Sequence, residues 1–315
     1  MDPHVEIEST RSLAGALGAT NWGWEIPVYL FLGGLVAGLL MAVCVVALVR
    51  GRERVTEGMR RGLLATPVLL SLGMGALFVD LTYKLHVWRF YTAFKAAAPM
   101  SWGSWILLAV YPVMALLVLA MPPAFLMGAW REGAGTLGRL TRWSEAHLRG
   151  LAMAGLAGGA ALGVYTGVLL SATGAQPLWS SGALGALFLA SGASAGVAAL
   201  MLVEREHDAK ELLSRADIGL IAAELVVVGL WLAALLTQGP AFRAAAGLVL
   251  WGEYAPVFVG FVLFGGLLLP AALEVLALKG RAAHSRAVPA LVLLGGMLLR
   301  VVIVYAGQAV PLFPA

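Results

Sequence analysis

Residues 27–49 read PVYLFLGGLVAGLLMAVCVVALV, 23 consecutive positions without a charged side chain. At a rise of ~1.5 Å per residue, a helix of this length covers about 34 Å, enough to cross the ~30 Å hydrocarbon core of a bilayer. The run shows no alternation of polar and apolar positions. A helix, which satisfies its backbone groups internally, is therefore the form that lipid accepts. Moving outward, the same length and composition recur at 63–83, 101–121, 150–171, 182–203, 216–237, 255–278 and 287–308. The fold class predicted is all-α and integral to the membrane, with eight transmembrane helices. The third segment can run on past Pro122 and Pro123 as far as Met127, because proline is tolerated in membrane helices. Whole-chain composition agrees: of 315 residues, 61% are hydrophobic and 12% charged, against ~25% charged in soluble domains, and the mean hydropathy is +0.89. A soluble globular domain, a disordered chain, a disulfide scaffold and a basic nucleic-acid-binding domain are all excluded.

The net charge of +4 reports topology before it reports partners. Loops after the first, third, fifth and seventh segments carry 15 of the 21 Lys and Arg residues, among them Arg50, Arg52, Arg131, Arg142, Lys210 and Arg286. The other face carries five: Arg11, Lys84, Arg89, Lys95 and Arg243. Basic residues are retained on the cytoplasmic side. Both termini are thus expected outside, periplasmic in a Gram-negative bacterium, and the longer, aromatic loops of that face are where function is expected. Gly34 and Gly38 in the first segment, and Gly192 and Gly196 in the fifth, form small-xxx-small pairs suited to close helix packing. The single cysteine, Cys44, cannot hold a zinc or iron–sulfur site alone. His4, His86, His147, His207 and His284 fall in tails, loops or helix ends, which argues against haem ligated inside the bundle.

Ionisable residues at membrane depth are costly and point to function. Here they are Asp80 at the outer end of the second segment, Glu224 about two turns from the inner end of the sixth, Glu274 about one turn from the inner end of the seventh, and Arg300 in the middle of the eighth. Glu25 lies just before the first. Two readings stand: a structural salt bridge of Glu224 or Glu274 with Arg300, or a proton-carrying path. A second group shares a depth near the outer surface: Tyr29, Asp80, Lys84, Trp102, Trp105 and Tyr165. Hydrogen-bonding groups among apolar walls suit an amphipathic ligand such as a quinone. An ordinary aromatic belt has the same composition.

Four stretches carry a resemblance to a known family: WEIPVYLFLGGLVAG at 24–38, PMSWGSW at 99–105, YTGVLLS at 165–171 and LRVVIVYAGQ at 299–308. Together they resemble the NrfD/PsrC family, integral membrane subunits of polysulfide reductase-like complexes. The resemblance implies an outer tail (1–26), a first four-helix bundle (27–171) with the candidate quinone site, and a second (172–315). It implies a membrane anchor that exchanges electrons between menaquinol or ubiquinol and a partner iron–sulfur subunit, with no haem or iron–sulfur cluster of its own. A catalytic subunit, a molybdopterin enzyme or a multihaem cytochrome, would complete an anaerobic respiratory oxidoreductase in the bacterial inner membrane. Docking is expected on the outer loops at 84–100, 176–181 and 238–253. Tyr165 matches a tyrosine bordering the quinone head group in a family member, whereas Tyr29 and Ile26 stand where that member has histidine and asparagine. Proton exchange would then fall to Glu25, Asp80, Lys84 or His86, with Glu224, Glu274 and Arg300 linking the site to the inner face. Two rival readings are a small transporter or channel, whose usual inverted repeats and broken spans are not seen here, and a purely structural anchor.

Overall fold

The computed structural model describes residues 22–81, 84–86, 92, 99–131, 135–172, 176–281 and 285–310, and these contain helices and no strand. Eight helices are long and apolar enough to cross a membrane: α1 (Glu25–Arg50), α2 (Glu57–Asp80), α3 (Pro99–Ala120), α6 (Leu148–Ser171), α7 (Ala183–Val203), α8 (His207–Gln238), α10 (Pro256–Leu278) and α11 (Ala287–Ala309). Three shorter helices, α4 (Ala124–Arg131), α5 (Thr136–Ala146) and α9 (Pro240–Leu250), lie between them. The protein is a multi-pass membrane protein. One end gathers Arg50, Arg139, Arg142, Lys210 and Arg286 and is called here the basic end; the opposite end holds the start of α1 and the close of α11.

Three boundaries differ from those expected from hydropathy. α3 stops at Ala120 and the helix restarts as α4 at Ala124, so the third span does not continue to Met127. Pro122 and Pro123 follow each other, and two adjacent missing N–H groups are more than the helix absorbs. α2 begins at Glu57, six residues before its apolar run, because Thr56 caps it: the Met59 N–H donates to Thr56 Oγ1 at 3.3 Å. α8 extends to 32 residues, starting at His207 with a polar first two turns. Glu224 lies 17 residues from the start of α8, about 26 Å along it, and eight residues past Ala216, where the apolar part of the helix begins.

Helix contacts follow a simple pattern. α1 packs on α2, α6, α7 and α11; α3 packs on α6 and α2; α8 packs on α7 and α10; α11 packs on α10 and α7. The α1–α7 contact is made backbone to backbone. A Cβ on Gly192 would sit 2.7 Å from the Gly34 carbonyl oxygen, and Cβ atoms on Gly38 or Gly196 would collide with the backbone of the facing helix. The absence of four side chains lets dispersion contacts form where no water-driven force operates. α10 opens as a π-helix over Pro256–Leu268, and Gly266 touches Gly295 of α11.

Each end has its own clasp. Away from the basic end, Trp22 N–H donates to Gln308 Oε1 at 2.8 Å and Gln308 Nε2 donates back to the Trp22 carbonyl at 3.3 Å. Trp22 stacks on Trp179, whose Nε1 donates to the Ile303 carbonyl at 2.8 Å. At the basic end, the buried Glu204 accepts from the N–H groups of Arg205 (2.7 Å) and Glu206 (3.0 Å) and from the Thr56 hydroxyl, tying the α7–α8 turn to the start of α2. Thr56→Ala removes a helix cap and a donor to a buried carboxylate. We expect a loss of ~1–2 kcal/mol, read as a lower thermal midpoint in detergent; an unchanged midpoint would contradict this role for Thr56.

Candidate functional site

Contacts along α1 set the depth of each polar group. Tyr29 and Leu32 pack against Gly73 of α2, Gly33 against Thr166 of α6, and Gly34 against the Arg300 guanidinium of α11. Tyr165, next to Thr166, is buried, and its ring covers Gly103 of α3. Tyr29 is 2% exposed and Tyr165 7% exposed, and Thr166, next to Tyr165, meets α1 at Gly33, one helical turn from Tyr29. Asp80 is seven residues beyond Gly73, about 10 Å farther along α2. There it feels the carboxylate of Glu25 at the start of α1. The structure thus divides the expected cluster in two: Tyr29 with Tyr165, and Glu25 with Asp80. Lys84 is exposed. Trp102 and Trp105, 49% and 44% exposed, face away from the helix core, as interfacial aromatics do. The side chain of His86 lies outside the described residues, as does most of the 84–100 loop.

A second set of polar groups runs through α7, α8, α10 and α11. Arg300 is wholly buried. Its Nη1 donates to Ser191 Oγ at 2.5 Å and to the Gly296 carbonyl at 2.9 Å, its Nη2 donates to the Phe188 carbonyl at 3.2 Å, and the guanidinium lies 5.0 Å from the centre of the Phe188 ring. Ser191 is also within hydrogen-bonding reach of the buried Glu224 carboxyl. Arg300 and Glu224 therefore share Ser191 and also act on each other by charge. They form no direct ion pair, which corrects the simpler salt-bridge expectation for this pair; a serine of this kind leaves no mark in a hydropathy profile.

Glu274 does not pair with Arg300 either. It faces Asp217 of α8, a residue that sequence reasoning missed, with Ser214 alongside. Asp217 Oδ1 accepts from Ser194 Oγ at 2.6 Å. Asp217 Oδ2 and both Glu274 oxygens are buried with no N–H or hydroxyl donor on them. Two carboxyl groups thus share one buried site between α8 and α10. Glu274 also lines a cavity of about 30 Å³ together with Lys210, Ser285 and Arg286 at the basic end, roughly the room needed by one water. A sequence signal existed: Asp217 and Glu224 are seven residues apart, two turns along one face of α8.

Among the described residues no group of three or more His, Cys, Asp or Glu side chains is placed to hold a metal ion, and Cys44 is buried and unpaired. Buried hydroxyls, carboxyls and one arginine, spread through membrane-spanning helices, define a helical membrane protein with polar groups at membrane depth. The sequence matches the family model described as polysulphide reductase, NrfD, over residues 14–312. It belongs to that family. It is 32% identical to the C subunit of polysulfide reductase from Wolinella succinogenes, over 91% of this chain and 94% of that one. Protein NrfD of Escherichia coli is 28% identical, over 95% of this chain and 98% of that one, and an NrfD homologue of Haemophilus influenzae is 26% identical, over 91% and 94%.

Proposed function

We propose that the protein is the quinone-reactive membrane anchor of a multisubunit respiratory oxidoreductase. The observation that carries the reading is the meeting of two polar systems on either side of α1: Thr166, beside Tyr165, at Gly33, and the Arg300–Ser191–Glu224 network at Gly34. Quinol is the substrate. Its oxidation releases two electrons and two protons, the electrons passing to a partner iron–sulfur subunit and on to a catalytic subunit. Tyr29 and Tyr165 offer hydroxyls to the head group, and Glu25 and Asp80 lie between them and the surface as proton acceptors. The family membership and the names of the relatives, which include a subunit of polysulfide reductase, support an assembly of this kind.

The 15-to-five split of basic residues supports an orientation with the basic end in the cytoplasm of a bacterial inner membrane. Contacts among α1, α2, α3 and α6, and among α7, α8, α10 and α11, support two four-helix bundles. In this frame Glu274, Asp217, Glu224, Ser191 and Arg300 form a stepwise polar route from the cytoplasmic end to the depth of Tyr165. The test is electron transfer from a reduced menaquinol analogue in the reconstituted complex. Tyr165→Phe, which keeps the ring over Gly103 and removes the hydroxyl, should lower quinol-dependent turnover at least tenfold, about the 1.4 kcal/mol of one good hydrogen bond. Asp80→Asn should slow it further at high pH than at low pH. Full turnover in both variants would leave the protein a structural anchor only.

A further inference from the structure

A groove of about 580 Å³ opens to the lipid at the basic end, walled by α1, α6, α7 and α8, and lies outside the polar systems described above. Its lining mixes small residues, Gly38 and Ala42 of α1 and Ala216 and Gly219 of α8, with larger apolar ones such as Val45, and Arg50 stands at its mouth. From Gly38 to Arg50 it follows α1 for twelve residues, about 18 Å. That length is close to the ~15 Å of hydrocarbon in one leaflet, half of the ~30 Å core. Its apolar lining and its length of about one leaflet suit acyl chains laid along it.

Chemistry selects among alkyl-chain ligands. Arg50 is exposed, and no described carboxylate or carbonyl pairs with it. Its neighbour Arg52 is engaged with Glu145 at 2.7 Å. A cation set free at the interface, directly above an apolar furrow one leaflet deep, is complementary to an anionic head group carrying acyl chains. The lining offers no second polar side chain to receive the paired carbonyls of a quinone. We propose that this groove is a binding site for one anionic phospholipid of the leaflet at the basic end, its phosphate on Arg50 and its acyl chains along the α1–α8 furrow beneath the Gly38–Gly192 crossing. The lipid would fill the seam where the first and second halves of the sequence part, and so brace the α1–α7 contact from below.

The test uses the full-length protein, purified in a neutral detergent, stripped of lipid and then offered phosphatidylglycerol and phosphatidylethanolamine in equal amounts, with bound lipid counted by native mass spectrometry. The wild-type protein should retain one phosphatidylglycerol in preference to phosphatidylethanolamine. Arg50→Gln should weaken phosphatidylglycerol retention about fivefold, the equivalent of ~1 kcal/mol for one basic residue at a membrane surface, and abolish the preference. Gly219→Leu fills the groove, since a Cβ at Gly219 meets nothing within 4 Å, and should reduce retention of both lipids tenfold or more. Its thermal midpoint without lipid reports whether the fold is intact. The proposal is overturned if the wild type retains no phospholipid, if the retained molecule is a quinone, or if Gly219→Leu, folded as wild type, binds lipid unchanged. It is equally overturned if Arg281→Gln, at a basic residue away from the groove, weakens binding as much as Arg50→Gln.

Discussion

Gly38→Val should yield little or no folded protein. A Cβ at this position would land on the carbonyl of Gly192 and reach Ala193 Cα at 2.9 Å, and a Cβ at Gly196 would meet the Gly38 backbone in return. The obstacles on both sides are backbone atoms of membrane-spanning helices, so no rotamer change relieves them. The two helices must separate. Separation also withdraws Gly34 from the Arg300 guanidinium, which a Cβ there would approach to 3.1 Å, and lets lipid or water reach a charge now wholly buried. Overpacking alone costs ~1–3 kcal/mol; with loss of the seam we expect more than ~3 kcal/mol, seen as aggregation or a collapse of the monodisperse peak in size-exclusion chromatography. Gly229→Ala is the contrast. A Cβ there meets nothing within 4 Å, and replacing a mid-helix glycine by alanine favours the helix by up to ~1 kcal/mol. If Gly38→Val were as stable as Gly229→Ala, the close approach of α1 and α7 would have no energetic weight.

The eight spans were legible because lipid imposes a length and a composition on each helix, and both are visible in single residues. Ends were less so. Capping by Thr56 and the polar opening of α8 extend helices beyond their apolar cores, and hydropathy is blind to hydrogen bonds. That blindness leaves Asp217, at the edge of the expected span, without notice. A shared depth for Tyr29, Asp80, Lys84, Trp102 and Tyr165 presumes that the helix ends are level. Gly73 meets Tyr29 and Leu32, seven residues before Asp80 on α2, whereas Tyr165 meets Gly103, one turn into α3 and beside Trp102. Arg300 was identifiable as an outlier of charge, but its partners are Ser191 and two carbonyls. Serines and backbone oxygens acquire meaning only from three-dimensional placement.

Arg300→Met should lower stability by ~3–5 kcal/mol, the cost of removing one member of a buried charged network while the rest stays in place. Ser191 Oγ and the Phe188 carbonyl lose their donors, and Glu224, 2% exposed, loses its nearby cation. Glu224→Gln on its own keeps the shape of the side chain and its reach to Ser191, so its effect on stability should stay below ~1 kcal/mol, less than one net hydrogen bond. In the double variant the orphaned carboxyl is gone, and at least half of the Arg300→Met loss should return. The thermodynamic cycle isolates this coupling from the packing change; strict additivity of the two single effects would show that Arg300 and Glu224 do not sense each other through Ser191. The same Glu224→Gln variant separates fold from function. On the proposed proton route, vesicles carrying the complex should lose acidification driven by quinol oxidation while electron transfer continues, because an amide holds the hydrogen bond to Ser191 but cannot carry a proton through it. Continued acidification at the wild-type ratio of protons to electrons would remove Glu224 from the route and leave it a purely structural partner of Arg300.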